Sequence, residues 1–390
     1  MSDKNPKTIM QILPALNSGG VERGVIDISK AVAVAGFKSI VVSSGGPMIS
    51  HLNGSKVVHI KLPLASKNPL TIYLNIQRLE KIIKDHQVDL VHIRSRAPAW
   101  SAWKACQNVG CQMISTVHGP YSMNLIGRKI SKLKTKYNSI MLRPKYIIAV
   151  SAFIKNYIYQ NYAATENLSE KQIESIHRGV DLNYFSNTKV PGSRIVQLVE
   201  GWDLPDDKQI IMLPGRITGW KGHEFLISAL AKVKNPNFFC IMVGSLKGHE
   251  KFAKKLEQKI KENNLEGRVK IVGETKDMPT AYLVSDLVIS SSVKPEAFGR
   301  VVIEAGAMGR IVIATNIGGS LETIIENKTG FLVEVGNVSR LTEVIDQVLA
   351  MEKSRKEEMG QNATKHIAEN FSNQKMLDAT INLYKRILEK

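Results

Sequence analysis

Short apolar runs rich in Val and Ile alternate with helical patterns of ten or more residues along almost the whole chain. This alternation restricts the fold more than any other feature. A strand that is apolar on both sides has to be covered on both sides, the condition met by a parallel sheet wound with helices. In the first half the expected strands are 8–13, 39–43, 57–60, 90–93, 113–117 and 146–150, with helices over 22–35 and 71–85. Regularity falters over 186–208, where Pro191, Gly192 and Pro205 interrupt the pattern. A second series then begins, with strands expected at 210–213, 238–243, 269–272, 287–289, 311–314 and 331–333, and the chain ends on a helical pattern over 374–388. Each half reads as a doubly wound, Rossmann-like α/β unit. A chain of 390 residues also exceeds one ordinary core. The expected domains are 1–190 and 191–372, with a cleft between them.

The charge is uneven. Lys and Arg number 53 against 35 Asp and Glu, a net +18, yet residues 90–165 hold no acid at all. Arg94, Arg96, Lys104, Arg128, Lys129, Lys132, Lys134, Lys136, Arg143, Lys145 and Lys155 all lie in that stretch. Such a field attracts an anionic partner: nucleic acid, an anionic membrane or an anionic substrate. Residues 126–146 mix apolar and basic positions as an interfacial helix does, and equally as a solvated helix on a basic surface does. No apolar run is long enough to cross a bilayer, and the first residues lack the pattern of a signal peptide. Cys106, Cys111 and Cys240 have neither metal-ligand spacing nor the look of a disulfide framework. A cytoplasmic location is expected, with peripheral attachment to the inner face of the membrane as the further expectation that the basic stretch raises.

In doubly wound sheets ligands bind beyond the carboxyl ends of strands. After strand 210–213 comes Pro214-Gly215-Arg216-Ile217-Thr218-Gly219-Trp220-Lys221-Gly222. Arg216 can meet phosphate oxygens bidentately, Lys221 adds a compact charge, and the glycines admit close backbone approach. The same residues also suit a plain strand-to-helix loop whose cations face water. After strand 287–289 comes Pro295-Glu296-Ala297-Phe298-Gly299-Arg300-Val301-Val302-Ile303-Glu304-Ala305. A loop through Gly299 leading into a helix lets Glu296 and Glu304 face one crevice, with free backbone N–H groups near Arg300 suited to a phosphate. Either glutamate alone also fits an ordinary surface acid. His118 directly follows strand 113–117, and Glu22 stands in the first turn of the first helix, where an acid also favours the helix dipole.

Glu296 and Glu304, with Phe298-Gly299 between them, resemble the E-x7-E signature of the retaining glycosyltransferases of family four. Gly19-Gly20-Val21-Glu22, His118-Gly119, Ser151, Gly179-Val180-Asp181, Gly215-Arg216, Lys221-Gly222 and Gly318-Gly319 with Glu322 match in the same order, so the resemblance covers nearly the whole chain. It implies the GT-B fold, with the terminal helix 373–390 packing back on the first domain. It further implies that Arg216 and Lys221 bind a donor diphosphate, that Glu304 binds ribose hydroxyls, and that Glu296 contacts the transferred sugar. Backbone groups at Phe298, Gly299 and Arg300 would hold sugar or phosphate, Gly19-Gly20 would close over the diphosphate, and His118 would lie near the sugar and acceptor. Two positions depart from the family pattern: Arg178 stands where Asn is common, and Arg300 where an apolar residue is common. The run Pro295–Arg300 resembles the lipopolysaccharide-core subgroup.

The resemblance implies hexosyl transfer from a nucleotide diphosphate sugar, with retention, in lipopolysaccharide core synthesis, and the acid-free basic stretch adds the expectation of an anionic glycolipid acceptor. Neither a cofactor nor a metal is expected, since fixed cations and helix N–H groups can hold the leaving diphosphate and no Asp-x-Asp pair suggests a metal bridge. Through the lipopolysaccharide-core resemblance GDP-mannose is the expected donor, with UDP-hexoses next. The acceptor side is assigned to Arg94, Arg96, Arg128, Lys129 and Lys132. A nucleotide-sugar epimerase of the same fold is the alternative. No helix-turn-helix, zinc or RNA-binding signature accompanies the charge, so nucleic acid is not an expected partner.

Overall fold

The structure, a computed structural model, describes residues 5–120 and 137–389. The first sheet comprises β1 (Thr8–Ile12), β2 (Lys38–Ser43), β3 (Val57–Lys61), β4 (Val88–Ile93), β5 (Gln112–Val117), β6 (Tyr146–Ala149) and β7 (Ile173–Ser175). Its order is β3-β2-β1-β4-β5-β6-β7, with every pair parallel. The second comprises β8 (Gln209–Pro214), β9 (Phe238–Val243), β10 (Val269–Gly273), β11 (Leu287–Ser290), β12 (Ile311–Thr315) and β13 (Gly330–Val333). Its order is β10-β9-β8-β11-β12-β13, again wholly parallel.

The apolar character of the strands explains this architecture. Every residue of β1, β9 and β12 is buried, so helices must cover both faces. Each buried Val, Ile or Leu contributes about 1.5–3 kcal/mol relative to exposure, so exposing one face of such a sheet is costly. Strand order reverses between β1 and β4 in one sheet and between β8 and β11 in the other. Register then aligns the strand ends: Ile12 pairs with Ile93, and Val288 with Met212. The loops that follow these four strands therefore emerge beside the two switch points.

The chain divides into two compact units, residues 1–177 with 376–390, and residues 178–375. This division precedes the 190/191 boundary expected from the sequence, for a packing reason. Val180 and Phe185 are buried in the second unit's core with Met212, Ile241 and Phe371. The stretch 186–208, expected to be irregular, contains the helix Gly192–Trp202, which begins directly after Pro191. Its Leu198, Val199 and Trp202 pack against the same core. Arg194 grips Asp277 with two hydrogen bonds, the Nε one at 2.7 Å, on the residue that caps the helix Met278–Leu283.

The terminal helix Asn373–Leu388 places Met376, Ile381, Tyr384 and Ile387 against Ile9, Ile28, Leu90 and Ile114 of the first unit. In the acid-free stretch, Arg143 stacks over the rings of Trp103 and Trp100 at 4.5 and 5.2 Å, aromatic faces standing in for a carboxylate. Arg128, Lys129 and Lys132, and the part of the 126–146 pattern up to residue 136, lie outside the described residues. Among the described residues no helix is long and apolar enough to cross a membrane. The three cysteines are free thiols.

Candidate functional site

In the second unit the site grows from the loops after β8 and β11. Gly215 and Arg216 leave β8, a short turn spans Gly219–Lys221, and the helix His223–Leu230 follows. Arg216 is exposed, and among the described residues no ion pair engages it. Lys221 turns inward. Its Nζ donates to Glu296 Oε1 at 2.7 Å, and its ammonium sits 4.6 Å from the Trp220 ring centroid. With side chains only 12% and 15% exposed, Lys221 and Glu296 form a pair largely removed from water. The Ser292 hydroxyl, beyond the end of β11, donates to the same Glu296 oxygen.

The second glutamate is held by a different set of groups. The helix Arg300–Ala307 starts at Gly299, whose φ of +82° suits glycine. Arg300 Nη2 donates to Glu304 Oε1 at 2.5 Å, one helical turn away, and the Tyr282 hydroxyl donates to Oε2 at 3.0 Å. Tyr282 is fully buried, and burial, then the Glu304 charge, push its phenol well above the usual range, so it remains a donor. Tyr282→Phe removes this bond and leaves one carboxylate oxygen wanting a partner. The expected outcome is a loss of about 1–2 kcal/mol in urea unfolding.

The Phe298 side chain belongs to the core: it is 3% exposed, with its ring 5.6 Å from that of Phe371. Gly318 and Gly319 press on this loop. The Gly319 N–H donates to the Glu296 carbonyl at 2.9 Å, and a Cβ on Gly319 would stand 2.3 Å from Phe298 Cα. The two-glycine motif thus fixes the backbone that carries Glu296.

His223 opens the helix behind Lys221. It is buried, its Nδ1 lies 3.2 Å from the Thr218 carbonyl, and burial lowers its pKa to about 4. A folded-state pKa below the unfolded value near 6.5 means that the unfolded chain binds more protons between those limits. Stability is therefore lost as pH falls below about 6.5 toward 4, by about 2 kcal/mol from this group between pH 7 and 5. His92, His59 and His366 act in the same direction, each lowered chiefly by burial. Urea unfolding of the native chain and of His223→Gln at both pH values should show a shallower slope for the variant.

In the first unit, a cleft of about 470 Å³ opens at the β1/β4 switch point. Pro14, Asn17 and Glu22 line it from the β1 side, Arg94 and Arg96 follow β4, and His118 follows β5. The expected residues Arg94, Arg96 and His118 are thus brought together. Gly19 and Gly20 begin the neighbouring helix Gly20–Val34, where the Glu22 carboxylate folds over Gly19: a Cβ there would lie 2.6 Å from Glu22 Oε2. Among the described residues no group of three His, Cys, Asp or Glu side chains is arranged for a metal ion.

Sequence reasoning missed Ser292 and Tyr282. Ser292 stands just past a strand end, where the strand-end rule could have found it. Tyr282 lies on another helix, 22 residues from its partner, with no local signal.

Residues 197–366 match the family described as Glycosyl transferases group 1, and residues 18–184 that described as Glycosyltransferase Family 4. A solved glycosyltransferase from Rickettsia africae ESF-5 is 39% identical, covering 99% of this chain and 100% of its own, with a TM-score of 0.89. The chain belongs to the glycosyltransferases. Two further relatives of this glycosyltransferase extend the comparison. The spore coat protein SA of Bacillus subtilis (strain 168) is 24% identical over 90% of this chain and 95% of its own. HepE of Anabaena, solved in complex with UDP and glucose, is 22% identical with a TM-score of 0.81, covering 97% of this chain and all 100% of that one. The glycosyltransferase accordingly has two Rossmann-like parallel-sheet domains of the GT-B type.

Proposed function

We propose that the chain transfers a hexose, with retention of configuration, from a nucleoside diphosphate sugar to an anionic glycolipid, in lipopolysaccharide core assembly at a membrane surface. The observation that carries the donor half is the gathering of Arg216, Lys221, Glu296 and the start of the helix Arg300–Ala307 around the β8/β11 switch point. The UDP and glucose of the Anabaena protein support a nucleotide-sugar donor. For the acceptor half, the support is the acid-free basic stretch and the likeness of Pro295–Arg300 to the lipopolysaccharide-core subgroup.

In this reading Arg216 and Lys221 take the diphosphate, Glu304 the ribose hydroxyls and Glu296 the sugar, with the backbone N–H groups at Gly299 and Arg300 adding donors to phosphate. The acceptor hydroxyl attacks the anomeric carbon on the face from which the diphosphate leaves. The bond from that carbon to the diphosphate oxygen breaks, and the hydroxyl proton passes to the departing diphosphate. Negative charge grows on the diphosphate as the bond breaks, which is where preorganised cations lower the barrier most. Lys221 then serves two ligand groups, holding Glu296 toward the sugar while its charge faces phosphate. On the acceptor side stand Arg94, Arg96 and His118, with Arg128, Lys129 and Lys132 proposed for an anionic membrane surface.

The test is a thermal-shift screen of UDP-, GDP- and ADP-sugars, followed by transfer to membrane lipid extracts. One donor class should stabilise the chain and label a lipid. Conversion of that donor to another nucleotide sugar, without any lipid labelling, would instead make the chain an epimerase.

A further inference from the structure

Among the described residues, the first unit holds a buried cation with no carboxylate paired to it. Arg94 directly follows β4, is 3% exposed and lines the cleft at the switch point. Among the described residues no carboxylate pairs with it, and no hydrogen-bond partner reaches its Nε. Its Nη1 lies 3.5 Å from His92 Nε2, an atom already 2.7 Å from Thr116 Oγ1. His92 cannot supply charge, because burial keeps its imidazole neutral. It acts as a fixed floor, bonded on its other nitrogen to the Tyr384 hydroxyl of the terminal helix. Burial lowers the Arg94 guanidinium only to about 10, so it stays charged at neutral pH.

A buried arginine is ordinarily matched by an acid, since an unpaired charge out of water is costly. The acid-free stretch supplies none. Glu22 lines the same cleft, but its carboxylate is drawn over the start of its own helix at Gly19. Arg96 lines it too, donating to Asn138 Oδ1 at 2.5 Å, which orients its guanidinium. The planar fork of an arginine suits a two-oxygen acceptor such as carboxylate or phosphate, and about 470 Å³ is ample room for a sugar-sized group carrying one.

We infer that this cleft is a site for an oxyanion of the acceptor, a carboxylate or phosphate, with Arg94 as its buried anchor and Arg96 as its second cation. The transferase reading enters only in naming the acceptor as the source of the anion. The site's existence is tested without donor or turnover.

The experiment is calorimetric titration of the full chain with two probes, inorganic phosphate and glucuronate, and separately with UDP and GDP. The native chain should bind at least one probe. The probe that binds identifies the source, phosphate for a phosphorylated headgroup and glucuronate for an acidic sugar. Arg94→Met should weaken that binding at least tenfold and Arg94→Lys less, with nucleoside diphosphate affinity kept within twofold. Should Arg94→Met fail to fold, Arg96→Gln is read in the same way, as weaker probe binding at unchanged nucleoside diphosphate affinity. Three results would overturn the site: no binding of either probe to the native chain, native-like probe binding in the folded variants, or a parallel fall in nucleoside diphosphate affinity. Failure of UDP and GDP to bind while a probe still does would count against the donor reading and leave this site standing.

Discussion

Lys221→Ala is expected to lower kcat/KM for transfer by about 10²–10³-fold, the usual cost of removing one preorganised group that meets charge developing in the transition state. It should also lower the melting temperature. Lys221 and Glu296 are a largely buried pair, and deleting the cation leaves a carboxylate out of water with, among the described residues, Ser292 as its remaining donor. The two effects are separable. Lys221→Met combined with Glu296→Gln removes both charges, so thermal stability should largely return. Transfer should not return, because the proposed diphosphate site still lacks its cation. Recovery of both stability and rate in the double variant would reduce the pair to a structural role.

Gly222→Ala should be the most damaging single methyl group in the loop that follows β8. Gly222 has φ +77°, and a Cβ there would stand 1.8 Å from the Ser291 carbonyl oxygen, backbone that cannot step aside. Gly248 provides the control, with the same φ of +77° and nothing within 4 Å of its would-be Cβ. Gly248→Ala should therefore cost only the left-handed strain, about 1 kcal/mol. Gly222→Ala adds the collision, and several kcal/mol in total, or loss of the folded second unit, is expected. Thermal unfolding of the two variants side by side measures the difference. Equal shifts would mean that the approach of the loop to Ser291 is not tight in solution.

Much of the fold was legible because fully covered strands announce themselves as Val and Ile runs. Residues 238–243 were read with the bounds the structure gives, and the other strands differ by a residue or two at their ends. β7 was not read, since three residues, Ile173–Ser175, carry too little pattern to separate from a loop. The helix Gly192–Trp202 was hidden by its own start signal, Pro191-Gly192, which reads equally well as a break. At the site, the cations and acids were found because they follow strand ends. Their partners were not, because Lys221 meets Glu296 across 75 residues and Tyr282 reaches Glu304 from a separate helix. Spacing places side chains on an element, whereas packing decides which of them meet. The isolation of Arg94 was likewise invisible in sequence, since a run without acids does not reveal that one of its arginines is buried.

Donor binding at the β8/β11 loops carries the proposed function most directly. Calorimetric titration of UDP-, GDP- and ADP-hexoses into the native chain, Arg216→Ala and Glu304→Gln measures it. One nucleotide-sugar class should bind the native chain, with affinity falling at least tenfold in each variant while thermal unfolding of Arg216→Ala, an exposed position, stays native-like. No binding of any nucleotide sugar by the native chain, or equal affinity in Arg216→Ala and Glu304→Gln, would contradict it.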